Sequence, residues 1–230
     1  CACLVGSEMC IRDRRPSDET GTYRYKFDAP KSWAGQRVKI FFDGVMTDAE
    51  IMINGKPAGE MHQGGFYRFN YDITELLNLG KKNQLEVKVA KESANRSINA
   101  AERKADWWLF GGIYRPVWLE VLPQVHMEHF VLNADHHGKL QTAVDMAGDA
   151  KGHEIIVSVR SLKDGKTVYT SNGQTTITHP INNSDKEQMI SGEWASIIPW
   201  STENPNLYVA KLELKNPEGK ICLLYTSPSP

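Results

Sequence analysis

From Gly21 to Ala90 the chain alternates apolar and polar residues in short segments that are separated by turn residues. The segments read GTYRYKF, RVKIFFDG, AEIMINGKPAGEM, GFYRFNY and NQLEVKVA. A period of two places every second side chain on the same face of a β-strand. The pattern therefore predicts an all-β fold in this part of the chain, built as a β-sandwich.

Two residue pairs inside alternating runs predict tight hairpins. Asn54-Gly55 and Asp164-Gly165 are both pairs that favour type I′ turns, in which the two central residues have positive φ. The segment YDITELL predicts one short helical turn, with Asp72 as its cap and Glu75 bonding back to complete a capping box.

A domain boundary is predicted near Pro123. This proline ends a strand in which Val117, Leu119 and Val121 share one face, and alternation resumes at Val125. About a hundred residues of further short strands without an internal cysteine pair suit an immunoglobulin-like sandwich. We expect one domain over residues 15–123 and a second over 124–221.

The cysteines lie only in the two end segments. Cys1, Cys3 and Cys10 are in the opening CACLVGSEMCIRDR, and Cys222 is in the closing CLLYTSPSP. They could form disulfides that link the ends of an exported protein, but none has the paired spacing of a zinc site. Both segments resemble translated sequencing-adapter read-through. We therefore expect residues 1–14 and 222–230 to be foreign to the natural protein, and the chain to be a fragment.

Composition and charge exclude several classes of partner. The chain has 230 residues, of which 24% are charged, and a net charge of -1, with basic and acidic residues interspersed. Such a surface lacks the basic patch that nucleic acid or an anionic membrane requires. No apolar run approaches the length of a membrane-spanning helix. The cysteine-free middle fits either the cytoplasm or the periplasm, so the compartment stays open.

Four motifs, in this order and at these intervals, resemble a known family. GTYRYKF, FFDGVMTDAEIMINGK, GGFYRFNYDITELL and ADWWLFGGIYRPVWLE are similar to the amino-terminal sugar-binding domain of family 2 glycoside hydrolases, which include β-galactosidases and β-glucuronidases. IIPWSTENPNLY resembles the end of the immunoglobulin-like domain that follows it. The resemblance implies a jelly-roll, galactose-binding-like sandwich followed by an immunoglobulin-like sandwich.

The same resemblance implies that the chemistry lies elsewhere. Family 2 enzymes are retaining glycosidases whose two catalytic glutamates lie on a third domain, an (α/β)8 barrel, which this chain does not reach. We therefore expect no catalytic residue here. The implied partners are a β-glycoside substrate and the missing barrel, and a homo-oligomer is possible. Glu203, beside an asparagine in the TENP motif, is interpreted as structural.

The stretch ADWW supplies the main candidates for substrate binding. By resemblance, Asp106 matches an aspartate that reaches the active site in β-galactosidase-like members and accepts hydrogen bonds from the sugar. Trp107 and Trp108 could offer an apolar face to a pyranose ring. The alternatives are that Asp106 pairs with Arg103 or Lys104, and that the tryptophans are simply packed in the sandwich.

The residues after ADWW are assigned supporting roles. Gly111 and Gly112 would let the backbone turn beneath the two tryptophans. Tyr114 is expected to pack, and Arg115 to anchor the following strand through a buried hydrogen-bonded pair.

Asp18 is a second candidate contact. Family members similar to β-galactosidase often present an asparagine just before the first strand, and this chain has Asp18 at the matching place. An aspartate accepts hydrogen bonds but cannot donate them as an amide does. Two carboxylates near one sugar would favour a neutral substrate over a glucuronide.

No cofactor or metal site is predicted. The pair His136-His137 lies between Asp135 and Gly138, which mark a turn, and adjacent residues do not readily share one metal ion. No GxSxG motif and no Gly-rich phosphate loop before a helix is present.

Three functional classes remain open at this point. The chain could be the accessory part of a family 2 exo-glycosidase, a stand-alone carbohydrate-binding module, or a structural tandem of β-domains. The sugar-binding and immunoglobulin-like units make sense together only if a barrel follows them, and the first class is therefore favoured.

We expect the 230-residue chain to hydrolyse no chromogenic glycoside. A retaining enzyme needs two carboxyl groups about 5 to 5.5 Å apart, and two sandwiches that form only one side of a site do not assemble that pair. Release of nitrophenol from nitrophenyl β-galactoside and β-glucuronide tests this. Turnover that disappears when a glutamate within this chain is substituted would refute it.

Overall fold

The computed structural model of the chain describes residues 20–104 and 111–229. The chain divides into two compact units, the first ending at Leu122 and the second beginning at Pro123. Both units consist of antiparallel sheets, which confirms the predicted all-β fold. The predicted domain bounds, 15–123 and 124–221, stay a prediction. The described residues contain no helix of the length and apolar character that crossing a membrane would require.

The first unit is a jelly-roll sandwich of two main sheets. One sheet has the order β1-β8-β4-β5 with β6 beside β4, the second has the order β10-β2-β7, and β3 pairs with β9. A short helix, α1, and two 3-10 turns, Lys31–Trp33 and Thr74–Leu76, join strands. The elements are β1 Thr20–Ala29, β2 Arg37–Phe42, β3 Val45–Met46, β4 Asp48–Ile53, β5 Lys56–Pro57, β6 His62–Gln63, β7 Phe69–Asp72, β8 Lys81–Ala90, α1 Arg96–Glu102, β9 Gly112–Ile113 and β10 Val117–Leu122.

Alternation along the strands builds the core of this unit. Leu85, Val87 and Val89 of β8 are buried, and so are Ile40 and Phe42 of β2 in the opposite sheet. Burial of one face of each sheet supplies the hydrophobic free energy that holds the two layers together.

The predicted inward face of β10 is confirmed. Val117 is buried, and Leu119 and Val121 pack against the same core. Trp118 points the other way, where its ring stacks on Phe41 with centroids 4.2 Å apart.

One predicted hairpin turn is confirmed and the other differs in type. Asn54 and Gly55 have φ values of 53° and 78°, and they join β4 to β5 as a type I′ turn requires. In the second hairpin only Gly165 has a positive φ, of 70°. The Asp164 carboxylate instead accepts the Lys166 N–H at 3.1 Å, so this hairpin has a longer loop closed by a side chain.

The predicted helical turn in YDITELL exists, but only half of its predicted cap does. Asp72 accepts a hydrogen bond from the Thr74 N–H at 3.0 Å and another from the Thr74 hydroxyl at 2.6 Å. Glu75 is exposed, and within the described residues its side chain makes no bond back to Asp72. The turn begins one residue later than predicted, with Ile73 at its N-cap, so Glu75 does not stand at the third helical position that a capping box requires.

The second unit is an immunoglobulin-like sandwich. One sheet has the order β11-β12-β16, and the other has the order β14-β13-β17-β18 with β15 beside β13. The strands are β11 His126–Ala134, β12 Lys139–Ala147, β13 Glu154–Ser161, β14 Thr167–Val168, β15 Ile177–Pro180, β16 Glu187–Glu193, β17 Tyr208–Lys215 and β18 Ile221–Ser229. Buried residues of both sheets, such as Val144, Ile155 and Leu212, form its core.

The closing segment forms a strand in this structure. β18 pairs with β17 from Ile221 to Ser229. Cys222 is a partly buried free thiol whose Sγ lies 3.2 Å from the Leu214 carbonyl oxygen. The foreign origin of residues 222–230 and of 1–14 stays a prediction.

We predict that Phe42→Ala lowers the free energy of unfolding of the chain by about 3 to 5 kcal/mol. Phe42 is 0% exposed and stacks on Phe69, so truncation leaves a cavity in the core of the first unit. Phe66→Ala is the matched control, because Phe66 is 45% exposed and its truncation should change stability by only about 0.5 kcal/mol. Urea unfolding of the two variants measures the loss of unfolding free energy in each. Equal losses would show that this core is wrongly assigned.

Candidate functional site

The four predicted substrate contacts lie outside the described residues. Asp18 precedes β1, and Asp106, Trp107 and Trp108 belong to the segment 105–110. The structure does describe the residues on both sides of that segment. They are α1 with Arg103 and Lys104 before it, and β9 with its flanking residues after it.

Helix α1 is held by side-chain hydrogen bonds at its start. Asn95 caps it by accepting the Ser97 N–H at 3.0 Å. Asn99 fastens the first turn to the preceding chain, accepting the Ser93 N–H at 2.9 Å and donating to the Ser93 carbonyl at 2.6 Å. A helix of seven residues is not stable alone, so these bonds fix the direction in which the chain enters 105–110.

Both flanks of the segment 105–110 bond to one residue, Gly65. The Glu102 carboxylate, at the end of α1, accepts the Gly65 N–H at 2.8 Å. The Tyr114 hydroxyl, beyond β9, donates to the Gly65 carbonyl at 2.6 Å. Glu102 is 8% exposed, so its hydrogen bond offsets part of the cost of burying a carboxylate.

Gly65 cannot be replaced by a larger residue without movement of its neighbours. A Cβ at this position would lie 2.7 Å from Met46 Cγ and 3.3 Å from Glu102 Oε2. The close approach of Met46 therefore favours glycine here, whereas the Glu102 carboxylate would need to move by only a few tenths of an ångström. The adjacent glycines Gly64 and Gly65 are the feature of the sequence that indicates such a close approach.

Gly112 supplies the backbone freedom that was predicted after the tryptophans. Its φ is 91°, and a Cβ would lie 2.2 Å from the Tyr23 hydroxyl oxygen. Gly111 has no positive φ, so the turn uses one glycine rather than two. Pairing of Met46 with Gly112 and of Val45 with Ile113 then fixes the chain that leaves the segment.

Arg103 lies two residues before the segment 105–110, and its side chain is half-buried. Its Nη2 donates to the Thr47 hydroxyl at 3.1 Å, and that hydroxyl donates to the Lys91 carbonyl at 3.0 Å. Burial lowers the pKa of Arg103 from its usual value, against the opposing effect of the Glu92 and Glu102 carboxylates. Thr47 is fully buried, so this chain of bonds anchors Arg103 to the interior of the unit.

A second buried carboxylate belongs to Asp48, the first residue of β4. Its Oδ2 accepts Gln63 Nε2 at 3.1 Å and the Ala94 N–H at 2.8 Å. Its Oδ1 is buried and has no donor among the described residues. The amino-acid pattern does not indicate this buried group, because Asp48 stands at the start of a strand with ordinary alternation.

His62 is placed between these carboxylates and the core. Its Nε2 lies 2.9 Å from the Gly64 carbonyl, and its ring stacks on Phe69 with centroids 3.6 Å apart. Burial lowers the pKa of His62, against the opposing effects of that carbonyl and of Asp48 and Glu102. The imidazole is therefore mostly neutral at pH 7. Its contacts with the Gly64 carbonyl and the Phe69 ring hold the side chain in place.

Two exposed aromatic side chains follow Gly65 directly. Phe66 is 45% exposed and Tyr67 is 66% exposed. The Tyr67 ring lies back over Gly64, where a Cβ would be 3.1 Å from Tyr67 Cδ2. Exposed aromatic rings can stack on a sugar, so these two residues are candidates that the sequence interpretation missed.

The predicted buried role of Arg115 is wrong. Arg115 is exposed, and its guanidinium lies 5.2 Å from the centroid of the Tyr114 ring, as in a cation–π contact. Arg115 stands before Pro116 and outside β10, so the chain turns it to the surface over Tyr114. Tyr114 packs less than expected: its ring lies close to Gly44, but the residue is 40% exposed.

The remaining sequence candidates lie on exposed turns of the second unit. His136 and His137 are in the β11–β12 turn, where Asp135 accepts the N–H groups of His137 and Lys139 at 2.9 Å each. Glu203 is exposed and accepts the Thr202 hydroxyl at 2.7 Å. Among the described residues no cluster of three or more His, Cys, Asp or Glu side chains could hold a metal ion.

Two family models together cover nearly the whole chain. Residues 8–123 match the model described as glycosyl hydrolases family 2, sugar binding domain. Residues 125–227 match a second model, described as glycosyl hydrolases family 2.

Curated relatives are named as glycosidases. A β-galactosidase of Thermoanaerobacter pseudethanolicus is 28% identical over 84% of this chain and 25% of its own length. A putative β-glucuronidase of Formosa agariphila is 30% identical over 84% of this chain and 18% of its own length. The chain thus spans a quarter or less of these two proteins.

Solved structures share the fold. A β-glucuronidase of Bacteroides uniformis superposes with a TM-score of 0.74 and 23% identity, over 93% of this chain and 26% of that one. A putative β-galactosidase of Bacteroides fragilis has a TM-score of 0.73 and 22% identity, over 92% of this chain and 32% of that one. At this level of identity the likeness establishes the two-sandwich fold.

We predict that Glu102→Ala and Arg115→Ala have different effects on stability. The first leaves the buried Gly65 N–H without its acceptor and should lower the free energy of unfolding by about 1 to 3 kcal/mol. The second removes an exposed cation–π contact and should cost at most about 1 kcal/mol. Thermal and urea unfolding of both variants measure this. The arrangement at Gly65 is contradicted if Arg115→Ala is the more damaging of the two.

Proposed function

The chain belongs to glycosyl hydrolases family 2, and on that premise we propose that it forms the non-catalytic sugar-binding and immunoglobulin-like domains of a retaining exo-glycosidase. In this proposal the catalytic (α/β)8 barrel belongs to the rest of the protein and docks on these two domains. The barrel supplies the acid and the nucleophile for hydrolysis of an O-glycosidic bond. The two sandwiches supply part of the substrate subsite.

The observation that carries the proposal is the convergence of both flanks of 105–110 on Gly65. Glu102 and Tyr114 bond to the N–H and the carbonyl of this one residue. The positions where the chain enters and leaves the segment are therefore set by one buried and one partly buried contact within the first unit. Such a frame suits a segment that must present Asp106 to a substrate at a defined place.

The proposed role of Asp106 is to accept hydrogen bonds from the sugar. An ionised carboxylate can accept from two neighbouring hydroxyl groups, and hydrogen bonds to charged groups contribute about 1.5 to 3 kcal/mol each. Bonds that strengthen as the ring flattens towards an oxocarbenium-like transition state accelerate the reaction as well as binding the substrate.

Further substrate contacts are proposed around Asp106. Trp107 and Trp108 would offer an apolar face for the pyranose ring, and Asp18 a second acceptor. Phe66 and Tyr67 are added because both are exposed and directly follow Gly65. Aromatic faces bind the C–H side of a sugar while carboxylates bind its hydroxyl groups, so the two kinds of residue complement each other.

We propose a β-galactoside as the substrate rather than a β-glucuronide. Two carboxylates at one subsite would repel the carboxylate of a glucuronide. Several of the curated relatives are named β-galactosidase, and two are named putative β-glucuronidase. Initial rates of the full-length enzyme on nitrophenyl β-galactoside and nitrophenyl β-glucuronide decide between them.

We predict that Asp106→Ala in the full-length enzyme lowers kcat/KM by roughly 10- to 1000-fold, which corresponds to about 1.4 to 4 kcal/mol of transition-state stabilisation. The melting temperature should stay within a few degrees of that of the unchanged enzyme. Asp28→Ala is the matched control, because Asp28 is an exposed residue of β1 far along the chain from the segment. Its kinetics and melting temperature should both be unchanged.

Three outcomes would count against the proposal. An Asp106→Ala enzyme with unchanged kinetics would show that the segment only packs, and one that unfolds would show that Asp106 is structural. A coding sequence that continues without a βαβ barrel would favour a stand-alone carbohydrate-binding module.

A further inference from the structure

A cavity of about 270 Å³ lies in the second unit, beside the β11–β12 turn. The segment that joins β16 to β17 contributes Trp194, Trp200 and Asn206 to its lining, and the turn contributes Asp135 and His136. The volume lies just below the range of pockets that hold drug-sized ligands, so it suits a ligand of one ring.

The joining segment is held in place before any ligand arrives. The Tyr208 hydroxyl accepts the Ile198 N–H at 2.9 Å and lies 3.3 Å from the Ile198 carbonyl oxygen. Asn204 closes the next turn by donating its N–H to the Ser201 hydroxyl at 3.0 Å, and the Ser201 N–H donates to the Asn204 carbonyl at 3.1 Å. A preorganised site binds without a large cost in ordering.

The apolar part of the lining includes exposed aromatic and aliphatic surface. Trp200 is 53% exposed and Ile198 is 61% exposed. An indole that is open on one face can stack on the C–H side of a pyranose ring. Exposure of two such large side chains next to a cavity is costly in water, so a ligand that covers them gains hydrophobic free energy.

The polar part of the lining contains donors and acceptors. Trp194 is 2% exposed, and its Nε1–H is buried with no acceptor among the described residues. Asn206 and His136 add groups that can donate or accept. A ring that carries hydroxyl groups offers partners to Asn206 and His136, whereas the buried Trp194 N–H is closed to a ligand in the cavity.

The charge of the lining disfavours an acidic ligand. None of the residues described as lining the cavity is Lys or Arg. The backbone N–H groups of Lys139 and His137 hold the pKa of Asp135 below its usual value, the Lys139 bond having the larger effect. Asp135 is therefore ionised at neutral pH and would repel a uronic acid.

We propose that this cavity is a non-catalytic binding site for one neutral pyranose ring, with Trp200 stacking on the sugar and Asn206, His136 and Asp135 bonding its hydroxyl groups. The site lies within the second unit, and it would hold a sugar whether or not a barrel is present. It therefore goes beyond the proposed function, and either of the two can fail without the other.

Titration of the 230-residue chain with methyl β-galactopyranoside and methyl β-glucopyranoside tests the proposal. The chain has six tryptophans, so its indole N–H signals in a proton–nitrogen correlation spectrum can be assigned by substitution. We expect the signals of Trp194 and Trp200 to shift with a Kd of about 1 to 10 mM for at least one sugar, as for a ligand of this size. Methyl β-glucuronide should shift them less at the same concentration.

Two variants and a control sharpen the test. Trp200→Ala should raise the Kd by roughly five- to tenfold, judged on the Trp194 signal. Asp135→Asn keeps an acceptor oxygen in the turn and removes the charge, so it should reduce the difference between the neutral sugar and the glucuronide. Tyr169→Ala is the matched control, because Tyr169 is 56% exposed in the same unit and does not line the cavity. Its Kd should be unchanged.

Each contrary result overturns the proposal. Trp194 and Trp200 signals that do not move at roughly 50 mM sugar, well above the expected Kd, would show that the cavity takes no sugar of this class. Shifts confined to tryptophans of the first unit would place sugar binding there alone, and would leave the proposed function standing. Equal binding by the Trp200→Ala and Tyr169→Ala variants would remove the stacking role.

Discussion

The hydrogen bonds at Gly65 are the constraint on which the candidate site depends. A glutamate from the end of α1 and a tyrosine from beyond β9 bond to the N–H and the carbonyl of this one residue. A buried carboxylate without such a partner would destabilise the fold by several kcal/mol. The same bonds set where the chain enters and leaves 105–110, so the stability of the first unit and the placement of the segment have one physical basis.

The architecture of the two sandwiches is consistent with the proposal that they contribute contacts rather than chemistry. In an antiparallel sandwich the alternate side chains that face inward form the core, and connecting segments carry most of the residues that are free to meet a ligand. The segment after α1 in the first unit and the β16–β17 connection in the second are such places. The β16–β17 connection presents Trp200 and Asn206 beside a cavity, which suits sugar binding and does not require a titrating acid–base pair. For the segment after α1 the same role is our proposal.

The features that could be predicted from the sequence are those that depend on neighbouring residues alone. Alternation gave the inward faces of β8 and β10, and the positive φ preference of Asn54-Gly55 gave its turn. The failures depend on where each element begins: Glu75 does not bond back because its turn begins only at Thr74, and Arg115 is exposed because β10 begins after it, at Val117. Glu102 and Gly65 are 37 residues apart, and spacing alone does not indicate that they meet.

The central claim is that the first unit presents Asp106 to the substrate of a full-length family 2 enzyme. A crystal structure of that enzyme with a β-galactoside or a close analogue in the barrel tests it most directly. The account predicts an Asp106 carboxylate oxygen about 2.6 to 3.2 Å from a hydroxyl oxygen of the sugar. A carboxylate that instead pairs with Arg103 or Lys104, with no atom of the first unit in contact with the sugar, would contradict it.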